Sequence, residues 1–237
     1  MEIIKVKDSD ELGRKAAEIV IETIKGKENP VLGLATGSTP EKLYANLVEK
    51  CNTGEITFKN AVTFNLDEYV GLTIDDPQSY HYYMDKHLFD GIDIQKENTH
   101  VLDGEAEDLQ KECDSFEQLI KDAGEMDLQI LGLGLNGHIG FNEPGTAFDS
   151  RTHIVELEQS TIEANSRFFE SKEDVPTKAL TMGIGTIMDA KKILFIVQGE
   201  QKADILKAVV HGEVTEDVPA SVLQQHPNVV LITDIDI

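Results

Sequence analysis

Short, mostly apolar runs separated by long amphipathic stretches set the pattern of this chain. The runs are PVLGLA at Pro30–Ala35, AVTFNL at Ala61–Leu66, LQILGL at Leu128–Leu133, and the stretches Ile193–Val197 and Val229–Thr233. Such runs suit strands that are covered on both faces, as in a parallel sheet. Glu2–Val6 reads as a further short strand. The stretches between them read as helices: Asp8–Ile24, Pro40–Lys50 with Leu43, Leu47 and Val48 on one face, Ser79–Phe89, and Glu200–Val210. Leu109, Cys113, Phe116 and Ile120 follow the same helical spacing. The expected fold is therefore α/β: a mostly parallel, Rossmann-like sheet with helices on both faces, a single domain over residues 1–237. Ligands of such folds sit beyond the carboxyl ends of the strands, so chemistry is sought just after Ala35, Leu66, Leu133 and Val197.

Charge narrows the partners. Lys and Arg number 21 against 44 Asp and Glu, a formal net charge of −23. A surface of that sign repels nucleic acid and anionic lipid, so neither partner is expected. No apolar run is long enough to span a membrane, and charges interrupt every window of the N-terminal segment. Cys51 and Cys113 stand in apparent helices without a companion motif, which fits a reduced, cytoplasmic setting. Any anion site in this chain has to be built locally, against the overall field.

Thr36-Gly37-Ser38-Thr39-Pro40 follows the second expected strand. Gly37 permits a tight turn, Ser38 and Thr39 supply hydroxyls and a helix cap, and Pro40 suits a first helical turn. The segment reads as an ordinary capped helix start or as a phosphate cradle of backbone N–H groups at a helix N-terminus. Asn65-Leu66-Asp67-Glu68-Tyr69 ends the next strand with two carboxylates, either a solvated turn or a base aimed at a carbon acid. The run from Gly132 to Gly145 interleaves glycines with Asn136, His138, Asn142 and Glu143. There His138 is suited to shuttle protons and Glu143 to orient it, unless the imidazole is merely satisfied in a turn. No cluster of His or Cys accompanies His138, so no metal is expected.

The strings LGLATGSTP, FNLDEYVGL, LNGHIGFNEPG and ANSRFF, in this order, resemble the glucosamine-6-phosphate deaminase family from about Val31 onward. The resemblance implies conversion of glucosamine 6-phosphate to fructose 6-phosphate and ammonia without an obligatory cofactor. It assigns Asp67 as the base between C2 and C1 and His138 as the ring-opening group, helped by Glu143 and Asn136. It places the phosphate on Gly37, Ser38 and Thr39, joined by Arg167 and Lys202. A Lys in the first turn of a helix opposes the macrodipole, which a bound phosphate would reverse; pairing with Glu200 is the plainer alternative. Arg167 falls in an apparent helix, Thr161–Phe169, which the family uses within a mobile lid, here around residues 149–178.

Two departures stand out. Asn136 occupies a position where many relatives carry Asp; its carbonyl is expected to orient the imidazole, leaving Glu143 to stabilise the imidazolium. His153 and Val155 stand where larger, hexameric relatives place basic residues of an effector site, and the extension of those relatives is absent from this sequence. The implied enzyme is an unregulated monomer. Two rival readings are a 6-phosphogluconolactonase-like hydrolase, whose motif differs after the His, and a non-catalytic sugar-phosphate sensor.

Overall fold

The computed structural model describes residues 1–237 except Arg167, Phe168, Glu170, Lys172 and Glu173, with all side chains but those of Ser160 and Ala164. Seven strands form one parallel sheet: β1 (Glu2–Lys5), β2 (Val31–Leu34), β3 (Val62–Asn65), β5 (Thr99–His100), β6 (Leu128–Leu131), β9 (Ile193–Val197) and β10 (Val229–Thr233). Their order is β1-β10-β9-β6-β2-β3-β5. Every residue of β2, β6, β9 and β10 is buried. Successive side chains point to opposite faces, so both faces of the sheet's centre are covered, as the apolar runs require. The expected α/β class and single domain are observed.

Helix α1 (Ser9–Lys25) is capped by Asp8, whose carboxylate accepts the Glu11 amide at 2.8 Å, and it packs along α2 (Glu41–Asn52). On α4 (Leu109–Asp122), Phe116 meets Phe64 of β3 edge-on at 5.5 Å. The remaining helices are α3 (Tyr80–His87), α5 (Gln159–Asn165), α6 (Ile184–Met188) and α7 (Ala203–His211). Among the described residues, no helix is long and apolar enough to cross a membrane.

The strand order places the site. After β2 the chain proceeds outward through β3 and β5, then returns to lay β6, β9 and β10 on the other side. The direction reverses between β2 and β6, so the loops leaving those two strands part and open a crevice between them. The four loops singled out from the sequence leave β9, β6, β2 and β3, which are consecutive neighbours.

One expectation is corrected. Asp67 and Glu68 do not end the β3 strand or form a turn. The chain leaves the parallel sheet at Leu66, whose N–H donates to Leu34 O at 3.0 Å and whose carbonyl accepts Met182 N–H at 2.6 Å. Asp67–Tyr69 then forms β4, paired antiparallel with β8 (Lys178–Thr181), which pairs in turn with β7 (His153–Glu156). Glu68 is 1% exposed. Its carboxylate accepts the amides of Tyr69 at 2.8 Å, Tyr80 at 2.9 Å and His81 at 3.0 Å, and lies 3.0 Å from His81 Nδ1. It therefore closes the loop before α3 and terminates that helix's free N–H groups.

The start of the expected lid segment, residues 149–178, is tied to the body. Glu117 on α4 accepts Thr152 N–H at 2.9 Å and the hydroxyls of Thr152 and Thr186 at 2.6 Å each. Helix α5 begins at Gln159 and ends at Asn165, earlier than the expected Thr161–Phe169. Arg167 lies outside the described residues.

Because Glu68 is buried and serves several donors, Glu68→Ala is expected to lower stability by about 2–4 kcal/mol. Urea unfolding at neutral pH measures it; a loss under about 0.5 kcal/mol is the result that refutes this role.

Candidate active site

Asp67 opens β4 opposite Thr181 and is 6% exposed. Burial strips water from its carboxylate and the neighbouring Glu68 adds repulsion, which together push its pKa up to about 8. No hydrogen bond from a described residue compensates. Its orientation is toward the His138 loop: a side-chain carbon at Gly140 would stand 3.6 Å from Asp67 Oδ2. The alternation of the strand turns the two carboxylates to opposite faces, Glu68 toward the amides that hold it and Asp67 toward the His138 loop.

The His138 loop follows β6. Gly134 N–H donates to His138 O at 2.9 Å and Gly137 N–H to Gly134 O at 3.1 Å, closing a tight turn. The imidazole lies directly over Gly134, where any Cβ would come within 2.3 Å of the ring. Farther along, the buried Asn142 amide donates to Ile139 O and Met182 O, both at 2.8 Å, which pins the loop to the strand end. His138 Nδ1 stands 3.4 Å from Glu143 Oε2, too poorly aligned for a hydrogen bond in this state.

Asn136 acts differently from expectation. Its carbonyl oxygen accepts the backbone N–H of His138 at 3.2 Å, while its NH₂ donates to Glu143 Oε2 at 2.7 Å. It orients Glu143 and the loop backbone rather than the imidazole. The physical reason lies in the acceptor: a buried carboxylate needs donors, and an amide supplies one where an Asp would add a second negative charge. Burial opposes the charged form of Glu143, yet the neighbouring His138, Thr161 and Asn136 outweigh it and hold its pKa at about 2.

The third limb is the turn after β2. Gly37 has φ 98°, a conformation that only glycine adopts without strain, as the sequence pattern anticipated. The expected cap is absent: Pro40 occupies the N-cap position of α2 and no side-chain hydrogen bond is made there. With the helix starting at Glu41, Ser38 and Thr39 precede its N-cap and neither caps the helix end. The turn is braced from below by Tyr83, whose hydroxyl donates to Gly37 O at 2.6 Å, and by Tyr44, which is bonded to Ala35. Lys202, after β9, closes the 3₁₀ turn Glu200–Lys202 and stands at the N-cap of α7.

Thus Asp67, Asn136, His138, Glu143, Gly37, Ser38, Thr39 and Lys202 all follow the carboxyl ends of the neighbouring strands β3, β6, β2 and β9. Sequence reasoning did not single out Thr161, which hydrogen-bonds Glu143 from α5. Nor did it find Tyr69 and Tyr80, whose rings meet at 5.0 Å and whose hydroxyls interact. Tyr69 stands two residues beyond Asp67 on β4 and so shares its face, a relation that ending the strand at the carboxylates did not bring out. A groove of about 670 Å³ between α1 and α2 lies away from these residues, toward the start of β2, with Lys50 already paired to Glu55 at 2.7 Å.

A family described as glucosamine-6-phosphate isomerases/6-phosphogluconolactonase matches residues 7–232. A glucosamine-6-phosphate deaminase of Thermoanaerobacter pseudethanolicus is 53% identical over 99% of this chain and 92% of its own. One from Clostridium perfringens is 50% identical over 100% and 98%. The solved structure of a monomeric glucosamine-6-phosphate deaminase superposes with a TM-score of 0.97 at 47% identity, covering 98% of this chain and 97% of that one. A 6-phosphogluconolactonase from Thermotoga maritima, at 22% identity and a TM-score of 0.78 over 98% of each chain, shares the fold.

The raised pKa of Asp67 has a thermodynamic consequence. Between the ordinary carboxylate range and about pH 8 the unfolded chain has lost a proton that the folded chain keeps, so this group lowers stability as pH rises. Asp67→Asn removes that cost. Its melting temperature should exceed the wild type's, by a margin that widens from about pH 5.5 to about pH 8; a margin that narrows over this range contradicts the assignment.

Proposed function

The chain belongs to the glucosamine-6-phosphate deaminase family, and from that premise we infer that it is an enzyme of amino-sugar breakdown. It converts glucosamine 6-phosphate to fructose 6-phosphate and ammonia. The observation that supports the site assignment is that Asp67, the His138 loop and the Gly37 turn follow the carboxyl ends of the neighbouring strands β3, β6 and β2, around the point where strand order reverses.

In the proposed course, the phosphate rests on the N–H groups and hydroxyls of Gly37–Thr39 at the start of α2, with Lys202 and Arg167 supplying positive charge. His138 transfers protons between O5 and O1 and opens the pyranose to its aldehyde. Asp67 removes the C2 hydrogen as a proton; the electron pair forms C1=C2 while the C1=O1 π bond opens onto O1, which takes a proton from His138, giving the enolamine. The same carboxyl returns the proton to C1, leaving an imine at C2. Water adds there, ammonia leaves, and the ketone of fructose 6-phosphate remains. Each step moves protons or water, which Asp67, His138 and Glu143 are equipped to handle.

The electrostatics suit this sequence. Asp67, buried and given no hydrogen bond by a described residue, is a stronger base than a solvated carboxylate, as abstraction from carbon demands. Glu143, held ionised by its donors, keeps a carboxylate oxygen 3.4 Å from His138 Nδ1.

Residues 149–178 would include the lid, whose start is held to the body where Glu117 clamps Thr152. A cytoplasmic, unregulated monomer is the form we propose. In the stretch that would hold an effector phosphate, Arg151 is paired with Asp189 and His153 Nδ1 with Arg151 O at 2.7 Å. Hyperbolic kinetics, unchanged by N-acetylglucosamine 6-phosphate, are expected. Sigmoidal kinetics relieved by that compound would overturn the unregulated form.

Incubation of the purified protein with glucosamine 6-phosphate should release ammonia and fructose 6-phosphate in equal amounts; tight binding without either product would leave a sensor. Among variants, Glu143→Gln should lower kcat by about 100-fold and Asn136→Ala by about tenfold, since Asn136 acts through Glu143. The reverse order would refute this division of roles.

A further inference from the structure

Helix α5 touches both catalytic limbs through side chains one turn apart. Thr161 donates its hydroxyl to Glu143 Oε1. Asn165, four residues on and so on the same helical face, donates to the Tyr69 hydroxyl at 2.9 Å, and Tyr69 shares β4 with Asp67. Between them Ile162 packs with Tyr69, Phe141 and Leu157.

We propose that Thr161 is a positioning residue for ring opening: its hydroxyl fixes one oxygen of Glu143 so that the other faces Asn136 and His138. This rests on the reading of Glu143 given above. Thr161 and Glu143 are each 5% exposed, so water is a poor substitute for the hydroxyl. The two neutral donors divide the carboxylate between them, Thr161 on Oε1 and Asn136 on Oε2, which sets both its position and the tilt of its plane. With Oε2 so placed, it comes 3.4 Å from His138 Nδ1.

Helical Thr hydroxyls often bond back to a carbonyl of the preceding turn. This one bonds across to the loop after β6, 18 residues away in sequence. The seating of α5 is thereby coupled to the aim of Glu143: a displaced α5 leaves Oε1 without its partner and Glu143 free to rotate away from the imidazole. No group of Thr161 is assigned to the phosphate or to the C2 hydrogen, so its loss acts on turnover rather than on substrate capture.

The test compares Thr161→Val with Thr161→Ser under steady-state conditions. Removing the donor in Thr161→Val should lower kcat about tenfold or more while KM changes less than about twofold. Thr161→Ser, which keeps the hydroxyl, should recover kcat to within about threefold of the wild type. A Thr161→Val enzyme with wild-type kcat overturns the proposal, and so does a Ser variant as slow as the Val variant, because methyl packing would then be the cause. If Thr161→Val does not fold, Thr161→Ala against Thr161→Ser isolates the same hydroxyl and is judged by the same comparison. Glu143→Gln serves as reference: full turnover in that variant removes the reading of Glu143 itself, whereas a slow Glu143→Gln beside a fast Thr161→Val removes only the role of Thr161.

Discussion

Two adjacent carboxylates are buried at the start of β4, and the surrounding structure treats them in opposite ways. Glu68 receives three backbone amides and faces the start of α3. Asp67 receives no hydrogen bond from a described residue and is pushed up to about 8. An unpaired buried carboxylate is costly, and it persists only where neighbouring elements leave it no route to water. The antiparallel pairing of β4 with β8 and the turn at Leu66 supply that enclosure. In the function proposed above, a base of raised strength at the sugar C2 hydrogen is the return.

The other parts of the site stand in relation to that carboxylate. Because β9, β6, β2 and β3 are neighbours, their four carboxyl-end loops meet over one crevice. A chain of net charge −23 attracts no anion from afar, so affinity for a phosphate must come from short-range donors. We propose that the uncapped start of α2 and Lys202 at the start of α7 supply them. Glu143 completes the arrangement as the ionised partner of His138, with Asn136 and Thr161 satisfying the oxygens that burial would otherwise leave bare.

Much of this was legible in the sequence. The apolar runs announced buried parallel strands, and the rule that ligands gather at their carboxyl ends led to Gly37, Asp67, His138 and Lys202. Gly37 was read for its backbone freedom and has the positive φ it was read for. What escaped depends on contacts between distant segments. Asp67–Tyr69 has no apolar alternation, and it is a strand only because Ala179–Thr181 lies opposite. The resemblance made Asn136 a helper of the imidazole, but its NH₂ follows the charge seven residues on. Ser38 and Thr39 looked like caps, a local inference defeated by a helix that starts at Glu41. Thr161 carries no local signal at all; its meaning comes from Glu143, which folding brings beneath it.

The central claim is that one enclosed carboxylate, Asp67, carries a proton from C2 to C1. Glucosamine 6-phosphate bearing deuterium at C2 tests it in a single turnover in ordinary water, with the product read by NMR. A base shut away from solvent should deliver a measurable share of that deuterium to C1 of fructose 6-phosphate. Product with no deuterium at C1, its hydrogen drawn wholly from the solvent, would contradict the account.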